Sequence, residues 1–395
     1  MISVCLLVLT GAAAFAFYTY VGYPLLLMGL AVVRRRRSPV VPLAEWPRVT
    51  VVLPVHNEEA VIRGTLENLL ELDYPPDRRH ILVVSDASTD RTDAIVKEYA
   101  GRGVELLRLP SRRGKTGAEN AALPLLGGEI VVNTDASVRV ERGALRPLIA
   151  SFADPSVGVA SNRNVSVAPG TYHPNYAESW YVGYEMRVRD LESQVSGIVG
   201  AAGCLYAARL PIQKQLLPEG LCRDFAAGLI AWELGWRAVS VPEAICFVPR
   251  LSSLRQEYRR KVRTMTRGMD TLRFKRALLN GFRYGLFSWI LASHKVCRWL
   301  LPPVGVLALV ALMCLAPSAP PARWGLGLAG VVGLCAALAW WWPARWPLPM
   351  LLAVPAYLVM GNVAVLHAFV RVVRGDGAPT WEPTRRGVGG PATVG

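Results

Sequence analysis

Two carboxylates recur at the same place in this chain, each at the end of a short run of branched apolar residues. Asp86 closes Ile81-Leu-Val-Val-Ser-Asp86, and Asp135 closes Ile130-Val-Val-Asn-Thr-Asp135. A third acidic residue, Glu58, follows Val51-Val-Leu-Pro-Val-His-Asn57. Carboxylates at adjacent strand ends can bind a base, a ribose, or a divalent cation that holds a diphosphate. They can also cap the turns and helices that follow. Capping is the preferred reading for Asp90, and ligand binding for Asp86 and Asp135, because these two recur at equivalent positions. Further along, Gln256, Arg259, Arg260 and Arg263 share one face at helical spacing. Such a cationic face could hold a pyrophosphate or meet lipid headgroups.

The elements that must position these groups follow from the pattern around them. Short Val/Ile/Leu runs without alternation indicate parallel strands covered on both faces. Strands are expected at Arg48–Val55, His80–Ser85, Val104–Leu109 and Glu129–Asn133. Helices are expected at Glu58–Leu72, from Asp90 to Tyr99, and at Gly117–Leu126. This alternation predicts an α/β, Rossmann-like doubly wound sheet, whose ligands sit beyond the carboxyl ends of its strands.

The chain has 395 residues and is 52% hydrophobic, with the excess at its two ends. Val4–Val33 carries no charge, and neither do Trp299–Ala322, Trp324–Ala344 and Trp346–Val370. Each is long enough to cross a bilayer, which takes about 20 apolar residues. The head of the first segment lacks a basic residue, which argues against a cleaved secretory signal. Arg34–Arg37 follow it and place the central domain in the cytoplasm. Three later spans would then leave the C-terminus outside, whereas Arg371, Arg374, Arg385 and Arg386 argue that it is inside; one late segment is then re-entrant or interfacial. Apart from Cys and Tyr, His367 is the only ionisable side chain in those late segments.

The net charge of +15 fits an anionic membrane surface and a phosphate-bearing ligand, and no nucleic-acid motif is present. The seven cysteines include no C-x-x-C pair, which excludes the common zinc patterns. Between the central part and the late spans, Leu254, Tyr258, Val262, Met265, Met269 and Leu272 form an apolar stripe among seven basic residues. This is an interfacial helix by pattern. The organisation expected is a transmembrane helix at 1–33, a globular domain at 48–250, interfacial helices at 251–285, a membrane region at 286–373 and a flexible tail at 374–395.

An ordered set of stretches then becomes informative: Val52-Leu-Pro-Val-His-Asn-Glu-Glu59, Val84-Ser-Asp-Ala-Ser-Thr-Asp90, Arg113-Gly-Lys-Thr-Gly-Ala-Glu-Asn120, Thr134-Asp-Ala-Ser137, Gly203-Cys-Leu-Tyr206 and Leu217-Pro-Glu-Gly-Leu-Cys-Arg-Asp-Phe225. Together with Gln256-Glu-Tyr-Arg-Arg260, they resemble the membrane-bound branch of the inverting glycosyltransferases of family 2. That branch includes cellulose, hyaluronan and poly-N-acetylglucosamine synthases and ceramide glucosyltransferases.

The resemblance implies a GT-A fold and a nucleotide-sugar donor, with a UDP-sugar expected. It assigns Pro54, Glu58 and Asp86 to the nucleotide, with Lys115 and Asn120 near it. Asp135 matches the first carboxylate of a D-x-D element, the contact for the diphosphate and for Mg²⁺ or Mn²⁺; Ser137 replaces the second. Asp224 matches the aspartate of a T-E-D element and is the implied general base, with Cys222 and Arg223 in the other two places. Gln256, Arg259 and Arg260 match Q-x-x-R-W, with Arg260 in place of the aromatic. The implied reaction is inverting transfer to a membrane lipid or growing glycan at the inner leaflet. The rival reading, kept open by the departures at 137, 223 and 260, is a non-catalytic nucleotide-sugar-binding subunit.

Overall fold

Seven consecutive buried residues, Val49–Val55, form β1, and neighbours cover it on both sides. The computed structural model describes residues 1–34, 45–167, 176–249, 253–343, 346 and 348–377. β2 (Arg79–Ser85), β3 (Val104–Arg108) and β4 (Ile130–Thr134) complete a parallel set. β5 (Arg139–Val140), β6 (Val157–Val167), β7 (Leu205–Arg209) and β8 (Arg237–Pro249) extend it to eight strands in the order 3-2-1-4-7-6-8-5. β7 runs antiparallel to both β4 and β6. Strand order reverses around β1, which places a ligand cleft beyond the carboxyl ends of β1, β2 and β4.

Pro54 shows how the register accommodates a residue without an amide donor. The Val55 carbonyl accepts from Asp86 N–H at 2.8 Å, so Val55 faces β2 and Pro54 faces β4. The β1–β4 ladder ends at the Val52–Asn133 pair, so Pro54 interrupts no bond on that side.

The helices start and stop at places other than the sequence pattern predicts. The first begins at Ile62 rather than Glu58, because the Glu58 carbonyl closes a turn onto the amides of Val61 and Ile62. The second is Thr92–Lys97, followed by a 3₁₀ turn at Ala100–Arg102. The third runs over Gly114–Ala121, three residues earlier than expected, and gives way to a 3₁₀ turn at Leu123–Leu125. Its early start has a distant cause, a carboxylate from the end of β2, described below.

Among the described residues, four helices are long and apolar enough to cross a membrane: Ile2–Arg34, Leu286–Leu315, Pro320–Trp340 and Met350–Arg374. The second begins 13 residues before the apolar pattern does and therefore includes His294, Lys295 and Arg298. This corrects the reading that His367 is the only ionisable group of the late segments. A single turn of π-helix, Ala292–Cys297, lies within it. Lys295 lies over the Phe225 ring, 5.3 Å from its centre, and acidic partners explain why the charges of His294 and Arg298 are tolerated. The domain helix Tyr176–Val195 supplies Glu185 and Glu192. His294 bonds Glu185 at 2.8 Å and Glu192 at 2.5 Å, Arg298 pairs with Glu185, and the Tyr23 hydroxyl donates to Glu192 at 2.5 Å.

The first and second long helices run antiparallel. Tyr23 and Leu27 pack with Phe287 and Ile290 beside the domain, and Cys5 packs with Ala311 and Leu315 at the other end. The third long helix returns from Ala322, beside Cys5, to Trp340, whose ring meets Tyr258 edge-on at 5.8 Å. Tyr258 belongs to the basic helix Leu254–Phe274. The last long helix follows that basic helix: His367 meets Tyr258, and Val365 and Ala368 pack on Met269. The linker at 38–47, apart from its last three residues, and all but the first four residues of the tail at 374–395 lie outside the described residues, as do three of the four arginines at 34–37.

Candidate active site

Asp86, at the end of β2, is fully buried, and both its oxygens are engaged. One accepts from Arg113 N–H at 2.7 Å and the other from Gly114 N–H at 2.8 Å. It is therefore a cap supplied across the sheet to the first turn of Gly114–Ala121, where amide donors lack helical partners. His56 Nδ1 bonds the Asp86 carbonyl at 2.7 Å and ties the ends of β1 and β2 together. Two left-handed residues mark the same rim, Asn57 (φ 53°) and Ala87 (φ 54°). The Asn57 side chain holds its turn by accepting from Thr89 N–H at 2.8 Å. Asp90 caps as expected, accepting from Thr92 N–H at 3.0 Å and Glu59 N–H at 3.1 Å.

The helix that Asp86 caps projects Lys115 onto Asp135. Lys115 Nζ donates to Asp135 Oδ1 at 2.6 Å and to the Gly203 carbonyl at 3.3 Å. Burial alone would lower the Lys115 pKa, but the nearby charges of Asp135, Glu119 and Asp224 outweigh it and hold the ammonium above the ordinary lysine range. Asp224 lies in the first turn of Arg223–Glu233, with its Oδ1 accepting from Phe225 N–H at 2.9 Å. Its carboxylate lies against Gly203: a Cβ on that glycine would come within 2.4 Å of Asp224 Oδ2. Gly203 thus touches both the implied base and the lysine that serves the implied diphosphate contact. Gly203→Ala is expected to leave the fold intact and to cost activity about as much as a 1 Å misplacement does, roughly 10²-fold. Equal activity of variant and wild type would contradict this geometry.

A polar layer behind the cleft was not apparent from the sequence. Glu119 and Arg223 are 1% and 3% exposed, and their closest charged atoms are 3.5 Å apart. Arg223 also donates to the carbonyls of Gln213 (3.0 Å) and Gln215 (3.2 Å) and to the Asn120 side chain. Asn120 Nδ2 donates to the Leu217 carbonyl at 2.7 Å. Asn120 is therefore turned inward and holds the loop that leads to Asp224. Thr116 and Thr271 fasten that loop further, through the Leu221 carbonyl at 2.7 Å and the Cys222 amide at 3.0 Å. Arg267 of the basic helix donates to the carbonyls of Glu219 and Gly220. The only advance signal was Arg223 itself, an arginine where the resembled motif carries an acid.

Burial pushes the Glu119 carboxyl up, against the pull of Lys115 and Arg223, with Asp224 and Asp135 adding to the rise. A folded-state value above the unfolded one means that stability falls as pH rises from about 4.3 toward the raised value. Glu119→Gln should flatten that fall. Melting curves of both proteins in one detergent across this range check it; parallel profiles would contradict it.

The other expected donor contacts are arranged differently. Pro54 is buried in β1, and Glu58 is half-buried with its amide donating to Thr92 Oγ1 at 2.8 Å. Gln256 and Arg259 are exposed on the basic helix. Arg260 turns back onto Glu257 through two bonds, at 2.6 and 2.8 Å. The structure thus brings together Lys115, Asp135, Asp224, Glu119 and Gly203, and sets Asp86 and Asn120 behind them as supports.

Asp135 and Ser137 are the candidate cation contacts. Among the described residues, no group of three His, Cys, Asp or Glu side chains is placed to hold a metal ion. The Asp135 side chain is 30% exposed and reachable. One carboxylate and one hydroxyl fit a hard cation that brings most of its oxygen ligands with it, as a diphosphate-bound ion does.

The chain is similar to known glycosyltransferases in sequence and in fold. Residues 50–208 match the family model for glycosyl transferase family 2, less than half of the chain. A beta-monoglucosyldiacylglycerol synthase from Synechocystis sp. is 37% identical over 122 residues, 30% of this chain and 26% of that protein. A probable glycosyltransferase, YdaM, from Bacillus subtilis is 37% identical over 112 residues, 27% of each chain. The matches thus span about a quarter of these relatives' length. Among solved structures, a mannosyltransferase from Pyrobaculum calidifontis in complex with GDP-Man and Mn²⁺ superimposes with a TM-score of 0.69 at 25% identity. That match covers 93% of this chain and 99% of the other.

Proposed function

We propose, from a chain whose residues 50–208 form a family 2 glycosyltransferase domain on a GT-A fold, that it transfers a sugar from a nucleotide-diphosphate donor to a membrane acceptor with inversion. The observation that carries this reading is the convergence of Asp135, Lys115 and Asp224 around Gly203, beyond the carboxyl end of β4. Two of these groups suit a diphosphate, and the third suits a hydroxyl that must lose a proton. The donor is a UDP-sugar in this reading; the resembling mannosyltransferase was solved with GDP-Man.

The steps follow from the positions. The acceptor hydroxyl lies against Asp224, whose carboxylate takes its proton. The hydroxyl oxygen bonds to C1 of the sugar as the C1–O bond to the diphosphate breaks, and the nucleoside diphosphate leaves. Lys115, held by the helix that Asp86 caps, stands where negative charge accumulates, pre-oriented so that little reorganisation is needed in the transition state. Asp135, with Ser137 beside it, would hold Mg²⁺ or Mn²⁺. When bound, such an ion supplies charge neutralisation at the diphosphate. With so few protein ligands, the ion should bind together with the nucleotide: Mn²⁺ titrated alone should bind weakly, and UDP should tighten it.

The acceptor is a lipid or a growing glycan, a reading supported by the glycolipid synthase among the relatives and by the four apolar helices. The domain faces the cytoplasm, and the last long helix lies along the interfacial one. Three crossings then return the C-terminus to the domain side, in keeping with Arg371 and Arg374. The test uses purified protein in nanodiscs, incubated with labelled UDP-glucose, UDP-N-acetylglucosamine, UDP-galactose and GDP-mannose in turn, with bacterial lipid extract. Label should pass from one donor into the organic phase or a polymer. Tight donor binding with no transfer across the panel would favour the non-catalytic binding subunit instead.

A further inference from the structure

A second cleft, of about 410 Å³, lies between the basic helix and the last two long helices, lined by Leu254, Tyr258, Ala337, Trp340, Ala356 and Met360 among others. Its size is that of a small-molecule site. Small side chains make the space: a Cβ added at Gly333, another lining residue, would meet nothing within 4 Å. The rim is polar and cationic, unlike the walls. The Arg255 guanidinium sits 5.7 Å above the Trp340 ring, and the Tyr258 hydroxyl bonds His367 Nδ1 at 2.9 Å. Arg255 and Arg259, one turn apart, are exposed and have no carboxylate partner among the described residues. Trp341 and Trp346 are also exposed here, and tryptophans of this kind mark the level of lipid headgroups.

We infer that this cleft binds one anionic phospholipid of the surrounding membrane, with a hydrocarbon chain between Trp340 and Met360 and the phosphate on Arg255 and Arg259. The walls accept a chain because they are apolar and open toward the bilayer. The rim selects charge because the Arg255 guanidinium stands over Trp340 and Arg259 follows one helical turn along the same helix. Such a lipid would brace the helix whose Arg267 and Thr271 hold the loop leading to Asp224. It is a bound cofactor of the membrane region and is not itself glycosylated.

The test is photolabelling of the full-length protein in nanodiscs that contain either phosphatidylglycerol or phosphatidylcholine with a diazirine near the end of one chain. Wild type should be labelled at the cleft helices, and several-fold more by phosphatidylglycerol. Arg255→Gln should reduce that preference about fivefold, as one arginine near an anionic surface is worth. Gly333→Leu, which fills the open space, should remove cleft labelling while labelling of Ile2–Arg34 persists. Three results would overturn the assignment: labelling spread evenly over all four long helices, equal labelling of the cleft by both lipids, or recovery of the labelled lipid carrying a sugar. The distribution of label and the lipid preference do not depend on transferase activity, so they stand apart from the proposed reaction.

Discussion

Asp224→Asn is expected to lower kcat by about 10²–10⁴, the range that a positioned general base contributes, with donor affinity within about twofold of wild type. The substitution is nearly isosteric. The amide still fits against Gly203, whose hydrogen leaves the only room there, and its oxygen can still accept from Phe225 N–H. What it loses is the lone pair that takes a proton from the acceptor. The pattern identifies a group acting only in the transition state, because ground-state binding is spared. Donor titration by calorimetry, paired with initial rates, measures both quantities. Full activity in the variant would remove Asp224 from the chemistry. A parallel loss of donor binding would mean that it holds the nucleotide instead.

Asp135→Asn is expected to be nearly as damaging, through a different quantity. Asp135 is both the ion-pair partner of Lys115 at 2.6 Å and the proposed cation contact. The variant should lose about 10²–10³ in kcat/KM, a magnitude typical of removing one preorganised electrostatic contact. It should also need much more Mn²⁺ for half-maximal rate. A second effect comes with it: Lys115 is left buried without its main counter-charge, which is destabilising. Lys115→Met in the same chain should recover stability without recovering activity. Unchanged Mn²⁺ dependence in Asp135→Asn would place the cation elsewhere.

The strands were legible because a strand buried on both faces admits almost nothing but branched apolar residues, as the uninterrupted burial of Val49–Val55 illustrates. The convergence of Lys115, Asp135 and Asp224 followed from the resembled motifs. Helix starts were less legible. The amides at Arg113 and Gly114 are satisfied by Asp86, 27 and 28 residues away, and a local search for a capping residue cannot find such a donor–acceptor pair. The same contact explains why Asp86 reads as a ligand-binding carboxylate yet is buried behind the cleft. Glu119 and Arg223 were hidden for a related reason: each is costly to bury alone and tolerable only beside its partners, and those partners lie about a hundred residues apart. His294 and Arg298 of the second long helix escaped a hydropathy window because their acidic partner, Glu185, belongs to a helix more than a hundred residues earlier in the chain.

In the proposed reaction Asp224 is the base and Asp135 the diphosphate contact, which makes the transfer a single displacement at the sugar carbon. The most direct test is the anomeric configuration of the first product formed from an α-linked nucleotide sugar, read from its proton coupling constant by NMR before any equilibration. The account predicts a β-linked product. An α-linked product would require two displacements or a different catalytic group, and would contradict the assignment of Asp224 as the only base.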